Sequence, residues 1–103
     1  MTLGNHSYDE PDLVEIMNYP GDAGDGLSPL ARELIAAKLN IANGAGHECV
    51  DGYIMQADII IGDLVPRPVG NDTIPIGNVQ GLINNLGFYN KGEMCCAARC
   101  TGN

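Results

Sequence analysis

Ser28-Pro-Leu-Ala-Arg-Glu-Leu-Ile-Ala-Ala-Lys-Leu-Asn-Ile-Ala-Asn43-Gly44 is the stretch that decides the fold. From Leu30 to Leu39 every residue is a helix former, most of them strong ones. Pro29 suits a first helical position, where its missing N–H costs nothing, and Ser28 before it carries the hydroxyl of an N-cap. Leu30, Leu34, Ala37 and Ile41 recur at helical spacing, with Ala31, Ile35, Lys38 and Ala42 in the adjoining rows. Asn43-Gly44 supplies the stop. These signals predict a helix over 29–42 with a broad apolar side that needs neighbours.

Upstream, Asp9 reads as an N-cap followed by Glu10, Pro11 and Asp12, whose carboxylates suit a helix N-terminus. Tyr8 and Leu13 have the spacing of a hydrophobic staple. Leu13, Val14, Ile16 and Met17 supply a buried side, and Pro20-Gly21 ends a helix over about 10–18. Before it, 2–8 reads as a short extended arm with a tight turn at Gly4-Asn5. Downstream, Val50, Tyr53, Ile54, Ala57, Ile60, Ile61 and Leu64 follow helical periodicity up to Pro66. The β-branched run Ile59-Ile60-Ile61 favours a strand, but the longer periodicity outweighs it. Ile76, Val79, Leu82, Ile83 and Leu86 mark a fourth helix, weakened by Gly77, Gly81 and Gly87 at about 1 kcal/mol each relative to Ala.

The expected fold is therefore all-α: one small four-helix domain over 1–103, with a short N-terminal extended arm and a disulfide-tied C-terminal tail from Tyr89 to Asn103. Helices two and three should form an antiparallel hairpin. The predicted core is Leu13, Ile16, Met17, Leu34, Ile35, Ile41, Tyr53, Ile54, Ala57, Ile61, Leu82, Ile83 and Leu86. A chain of 103 residues is one domain's length. Five Lys and Arg against 13 Asp and Glu give a net charge of −8. That argues against nucleic acid and against an anionic membrane surface as partners. Hydrophobic residues make up 45% and charged residues 17%, the composition of a globule and not of a disordered chain. The apolar stretches fall far short of a membrane span, so membrane insertion is not expected. Met1 to Asn5 lack the basic and apolar regions of a signal peptide. We expect a segment of a longer secreted chain, with Met1 as an added start.

The block from Leu30 to Ala45 resembles a small uncharacterised module that recurs in secreted and cell-surface proteins of bacteria and archaea. In that family a Leu-Thr-Leu-Gly-Gly-x-x-Tyr segment and a short helix come first; Thr2-Leu3-Gly4-Asn5-His6-Ser7-Tyr8 and the helix from Asp9 to Met17 are similar. Gln56-Ala57-Asp58 resembles its Asp-Ala-Asp helix end, and Tyr89-Asn90-Lys91-Gly92 its closing Tyr-Asn-Asn-Gly. The family's upstream Gly-Tyr-Trp-Lys-Asn-His-Pro block has no counterpart, and the chain contains no Trp. The resemblance implies an extracellular context and no particular reaction.

Cys49, Cys95, Cys96 and Cys100 are an even set in a small acidic chain, which suggests two disulfides and an oxidising compartment. Neighbouring Cys95 and Cys96 are poorly placed to bond each other. Two patterns stay open: Cys49 with one of them and Cys100 with the other, or Cys49 with Cys100. A bridge from Cys49 to Cys95 or Cys96 closes a loop worth about 4 kcal/mol on the chain-entropy model, against about 2 for the short Cys96–Cys100 loop. Zinc held by His47, Cys49, Cys95, Cys96 and Cys100 is the weaker reading, because paired C-x-x-C spacing is missing. Asp22 and Asp25, beside Gly24 and Gly26, could present oxygens to calcium, although the EF-hand pattern is not met and such loops commonly make Asx turns and caps. Asp58 and Asp63 read as an exposed face and not as an acid–base pair.

Ser7 and Ser28 stand near helix starts. His6 and His47 are isolated in sequence, and no nucleophile elbow, P-loop or H-E-x-x-H is present. Tyr53, Phe88 and Tyr89 read as core and anchor residues, too few for a sugar-binding platform. No cofactor is expected. The sequence thus points to a non-catalytic structural or adhesive module of an extracellular or cell-surface assembly, partnered by other protein subunits or surface components or by its own copies. Alternatives are a calcium- or glycan-binding module and a subunit of a self-assembling fibre or lattice, in which the 2–7 arm pairs with a neighbour's strand edge.

Overall fold

A computed structural model describes residues 1–93; the tail cysteines Cys95, Cys96 and Cys100 lie outside the described residues. The chain forms a short hairpin, β1 (Thr2–Leu3) and β2 (His6–Ser7), and then four helices: α1 (Glu10–Asn18), α2 (Leu27–Ala42), α3 (Asp51–Ile61) and α4 (Gln80–Asn90). A single 3₁₀ turn at Ile76–Asn78 leads into α4.

α2 is the centre of the packing, as its breadth of apolar rows requires. Leu30, Ala31, Leu34, Ile35 and Ala37 are all fully buried. α1, α3 and α4 pack on it, α4 most extensively. Two small side chains among these five, Ala31 and Ala37, let neighbouring backbones come close. One hydrophobic cluster joins α2 to Ile16 of α1, Ala57 and Ile61 of α3, and Leu82, Leu86 and Tyr89 of α4.

Several expectations need correction. α2 starts at Leu27, two residues early, and Ser28 is not its cap: Gly26 is, and the capping carboxylate comes from Asp25. α3 ends at Ile61, where Gly62 takes φ +47°, so the helix does not reach Leu64. α4 starts later than Ile76 and runs through Tyr89 to Asn90. Tyr89 is therefore core, 2% exposed, and not the first tail residue. Met17 is 38% exposed, because α1 lies on α2 through Ile16. Leu13, Ile41, Tyr53, Ile54 and Ile83 are only partly buried against the cluster. The sequence reading left Leu3, Tyr8, Leu27, Leu30, Val50, Ile74 and Val79 out of the core, and all are buried.

α1 follows its sequence signals to the residue. The Asp9 carboxylate accepts from the Asp12 N–H, Pro11 sits in the first turn, and the chain leaves at Tyr19 before Pro20. The arm before it is a two-stranded antiparallel hairpin, with Thr2 opposite Ser7 and Leu3 opposite His6. Leu3 is fully buried, so the hairpin is plugged into the core and is not a free arm.

Candidate functional site

Chemistry-bearing side chains gather in two places, one at the start of α2 and one along α3. At the first, Asp25 is 6% exposed and meets four donors. Its Oδ1 accepts from the Leu27 N–H (2.9 Å) and from the Ile74 N–H (3.1 Å), and its Oδ2 from the Ser28 hydroxyl (3.1 Å) and N–H (3.4 Å). One carboxylate thus caps α2 and pins the 66–75 loop across it, where Asp25 and Pro75 also form an isolated bridge. Gly26 permits this approach: a Cβ there would lie 2.9 Å from the Ile76 Cα and 2.4 Å from Val79 Cγ2.

Asp22, three residues earlier, points outward. It accepts from the Tyr19 hydroxyl at 2.8 Å and from the Arg67 guanidinium. These hydrogen bonds, Tyr19's first and then Arg67's, hold the Asp22 carboxyl below its ordinary pKa. The Tyr19 hydroxyl is pushed up in turn, mainly by the same bond. The two carboxylates proposed for calcium therefore share a loop but already serve protein donors. Among the described residues, no group of three or more His, Cys, Asp or Glu side chains gathers where it could hold a metal ion.

The second place is an open groove of about 780 Å³ between the hairpin and the outer side of α3, lined by Gly4, Asn5, Asp51, Ile54, Met55, Asp58, Ile59 and Gly62. Its far wall exists because carboxylates of α3 and the turn after it hold the hairpin down. Asp58 accepts from the Gly4 N–H at 2.8 Å and pairs with Lys38 of α2 at 3.0 Å. Lys38 also donates to the Thr2 carbonyl at 2.6 Å. The Asn5 amide donates to Asp63 at 2.9 Å, and His6 Nε2 lies 3.0 Å from the Asp63 carbonyl. The expectation of an exposed acidic face holds for Asp63 and is corrected for Asp58, a half-buried tie; both residues serve the hairpin.

No family model, curated protein or solved structure matches this chain.

The two histidines are apart. His6 belongs to the hairpin, whereas His47 Nδ1 sits 2.9 Å from Asp51 on open surface, an i, i+4 pair with both side chains about half exposed. Neither histidine lines the groove. His47 and Cys49 share the turn before α3, but the three other thiols of the suggested zinc set lie outside the described residues. At the far end of α4, Asn90 donates to the Glu33 carboxylate at 2.8 Å, and the Tyr89 hydroxyl donates to the Gly46 carbonyl at 2.6 Å. Burial pushes the Tyr89 hydroxyl above its ordinary pKa, with Asp51 adding to it.

Sequence reasoning missed Asp25 as a loop clasp and the groove as a feature. A carboxylate just before a glycine N-cap was the available signal for the first. For the second, it was the Asp51, Met55, Ile59 row at i, i+4 spacing, which the apolar template of α3 leaves on the outside. What the arrangement can do chemically is hold segments together and offer an apolar, acid-rimmed surface.

Proposed function

We propose that this protein is a non-catalytic structural module of an extracellular or cell-surface assembly, built to be held rigid and to meet other protein subunits. The observation that carries the reading is how the buried and half-buried polar groups are used. Asp25 clasps a loop, the Lys38–Asp58 pair clasps the hairpin, Asn90 ties α4 to α2, and Arg32 holds the Tyr19 carbonyl at 2.6 Å. Each is fastened to backbone of another segment, as a scaffold requires. The resemblance of the Leu30 to Ala45 block to modules of secreted proteins supports the same context.

A disulfide-tied tail belongs to this proposal. The Tyr89 hydroxyl on the Gly46 carbonyl sets the end of α4 beside the turn that carries Cys49. Cys95 and Cys96 follow six and seven residues after Tyr89, within a short reach of that turn. A bridge from Cys49 would close the chain across α3 and α4 and stabilise the fold by about 4 kcal/mol. The test is intact mass of protein from its natural source, before and after alkylation without reductant. Two disulfides give a mass four hydrogens below the reduced value and no alkylation. Four alkylatable thiols, or retained zinc, would overturn the extracellular structural reading.

A further inference from the structure

We propose that the outer face of α3 docks a basic amphipathic helix of a partner protein, an inference that rests on the structural-module reading and names the surface it uses. Met55 is 63% exposed and Ile59 72%, the two largest exposures among the exposed large hydrophobics. With Asp51 they form one i, i+4 row, and Ile54 provides a partly buried floor beside them. The hairpin turn makes the opposite wall, so the strip is a groove and not a convex ridge.

Charge selects the occupant. Asp51 stands at one end of the strip and Asp58 near the other, and among the described residues no Lys or Arg lines the groove. A partner helix with aliphatic residues at i, i+4 and a flanking Lys or Arg meets both the apolar strip and the exposed Asp51 carboxylate. Lys38 already pairs with Asp58, so the charge that selects the occupant is that of the exposed Asp51 together with the chain's net −8. A second copy would bring the same carboxylates against this rim, and a nucleic acid or anionic lipid would be repelled by it.

The probe is a synthetic helix of leucine and lysine, leucines at i, i+4, titrated into isotope-labelled protein while amide chemical shifts are followed. Its glutamate counterpart is the control. The lysine peptide should shift amides at 51–62 and at Gly4 and Asn5, and the glutamate peptide should not bind. Met55→Gln with Ile59→Asn should weaken binding at least about tenfold while leaving the melting temperature unchanged, both positions being exposed. Asp51→Asn should weaken it about threefold and flatten its salt dependence. Equal binding by the double variant, shifts scattered over the whole acidic surface, or binding of the glutamate peptide would overturn the proposal. So would a sedimenting dimer that Ile59→Asn dissolves, which would assign the face to a second copy. Failure here with two disulfides confirmed removes the groove alone; free thiols in the mass experiment remove the extracellular reading and leave this titration standing.

Discussion

Asp25 and Asp58 do the same job at opposite shoulders of the molecule, and they do it in different surroundings. Each accepts the backbone N–H of a segment far away in sequence, Ile74 in one case and Gly4 in the other. Asp25 is 6% exposed and relies on four neutral donors, with no ion pair. The Asp58 side chain is 30% exposed and pairs with Lys38. A buried carboxylate without a cation is tolerable only when nearly every lone pair is used, because desolvation of a charge costs so much. A half-exposed one keeps some water and can lose a partner cheaply. The contrast implies one shoulder built into the core and another that can open separately.

The largest expected effect follows from the buried member. Asp25→Ala strands the N–H groups of Leu27, Ser28 and Ile74 in the interior and should cost about 2–4 kcal/mol. For a domain of this size that lowers the melting temperature by more than about 10 °C. Asp25→Asn should fall between, since an amide keeps one acceptor oxygen and turns N–H donors toward other donors. Thermal unfolding of Asp25→Ala beside Asp58→Ala tests the contrast directly; equal losses would break it.

Gly4→Ala probes the other shoulder through shape. Gly4 has φ +60°, and a Cβ there would meet the Gly62 carbonyl oxygen at 2.4 Å and its nitrogen at 2.8 Å, both rigid backbone atoms. The hairpin must lift away, at about 1–3 kcal/mol. Hydrogen exchange locates the damage: the Asn5 amide, which donates to the Gly62 carbonyl, should exchange faster. Amides of α2 should keep their protection. Loss of protection in α2 as well would show that the hairpin is part of the cooperative core.

These two sites also show where the sequence was legible. α1 and α2 were readable because a cap, a proline and an apolar period agree within one short window. α3 was readable as a helix and Ile61 as the isoleucine in its core, although Ile60 was set on the same apolar face. Three in a row cannot all face inward, and Ile61 is buried while Ile59 is 72% exposed and Ile60 41%. The start of α4 was blurred by Gly77 and Gly81, and its end by the assumption that Tyr89 opens a tail. The distant partners of the clasps were not legible. Asp25 with Ile74 and Asp58 with Gly4 are separated by 49 and 54 residues, and nothing local in the sequence records which backbone N–H a carboxylate will meet.

Lys38→Met should have a smaller effect, about 0.5–1 kcal/mol, as expected for a half-exposed pair. The change removes the donor to the Thr2 carbonyl and the cation beside Asp58, but Gly4 still donates to Asp58 and Leu3 still plugs the core. Denaturant unfolding of Lys38→Met against Asp25→Ala should therefore show a several-fold difference in lost stability. A loss as large as that of Asp25→Ala would make the shoulders equivalent.

Asp22→Asn is expected to do least, and its pH dependence has a definite sign. The folded state holds the Asp22 carboxyl below its ordinary pKa through Tyr19 and Arg67, so it favours the ionised form. That contribution is fully present above the ordinary carboxylate pKa and is lost as pH falls through the lowered folded value. Wild type should melt slightly above Asp22→Asn near neutral pH, and the two curves should converge as acidification passes the lowered folded value. A gap that widens in acid would reverse the assignment. The same pair of proteins tests the loop as a cation site. Asp25 has turned both oxygens to α2 and Ile74, which leaves Asp22 without a second carboxylate to share an ion. Added calcium should then move neither melting temperature, whereas a rise in wild type that Asp22→Asn abolishes would return the 22–25 loop to the reading of a calcium-binding module.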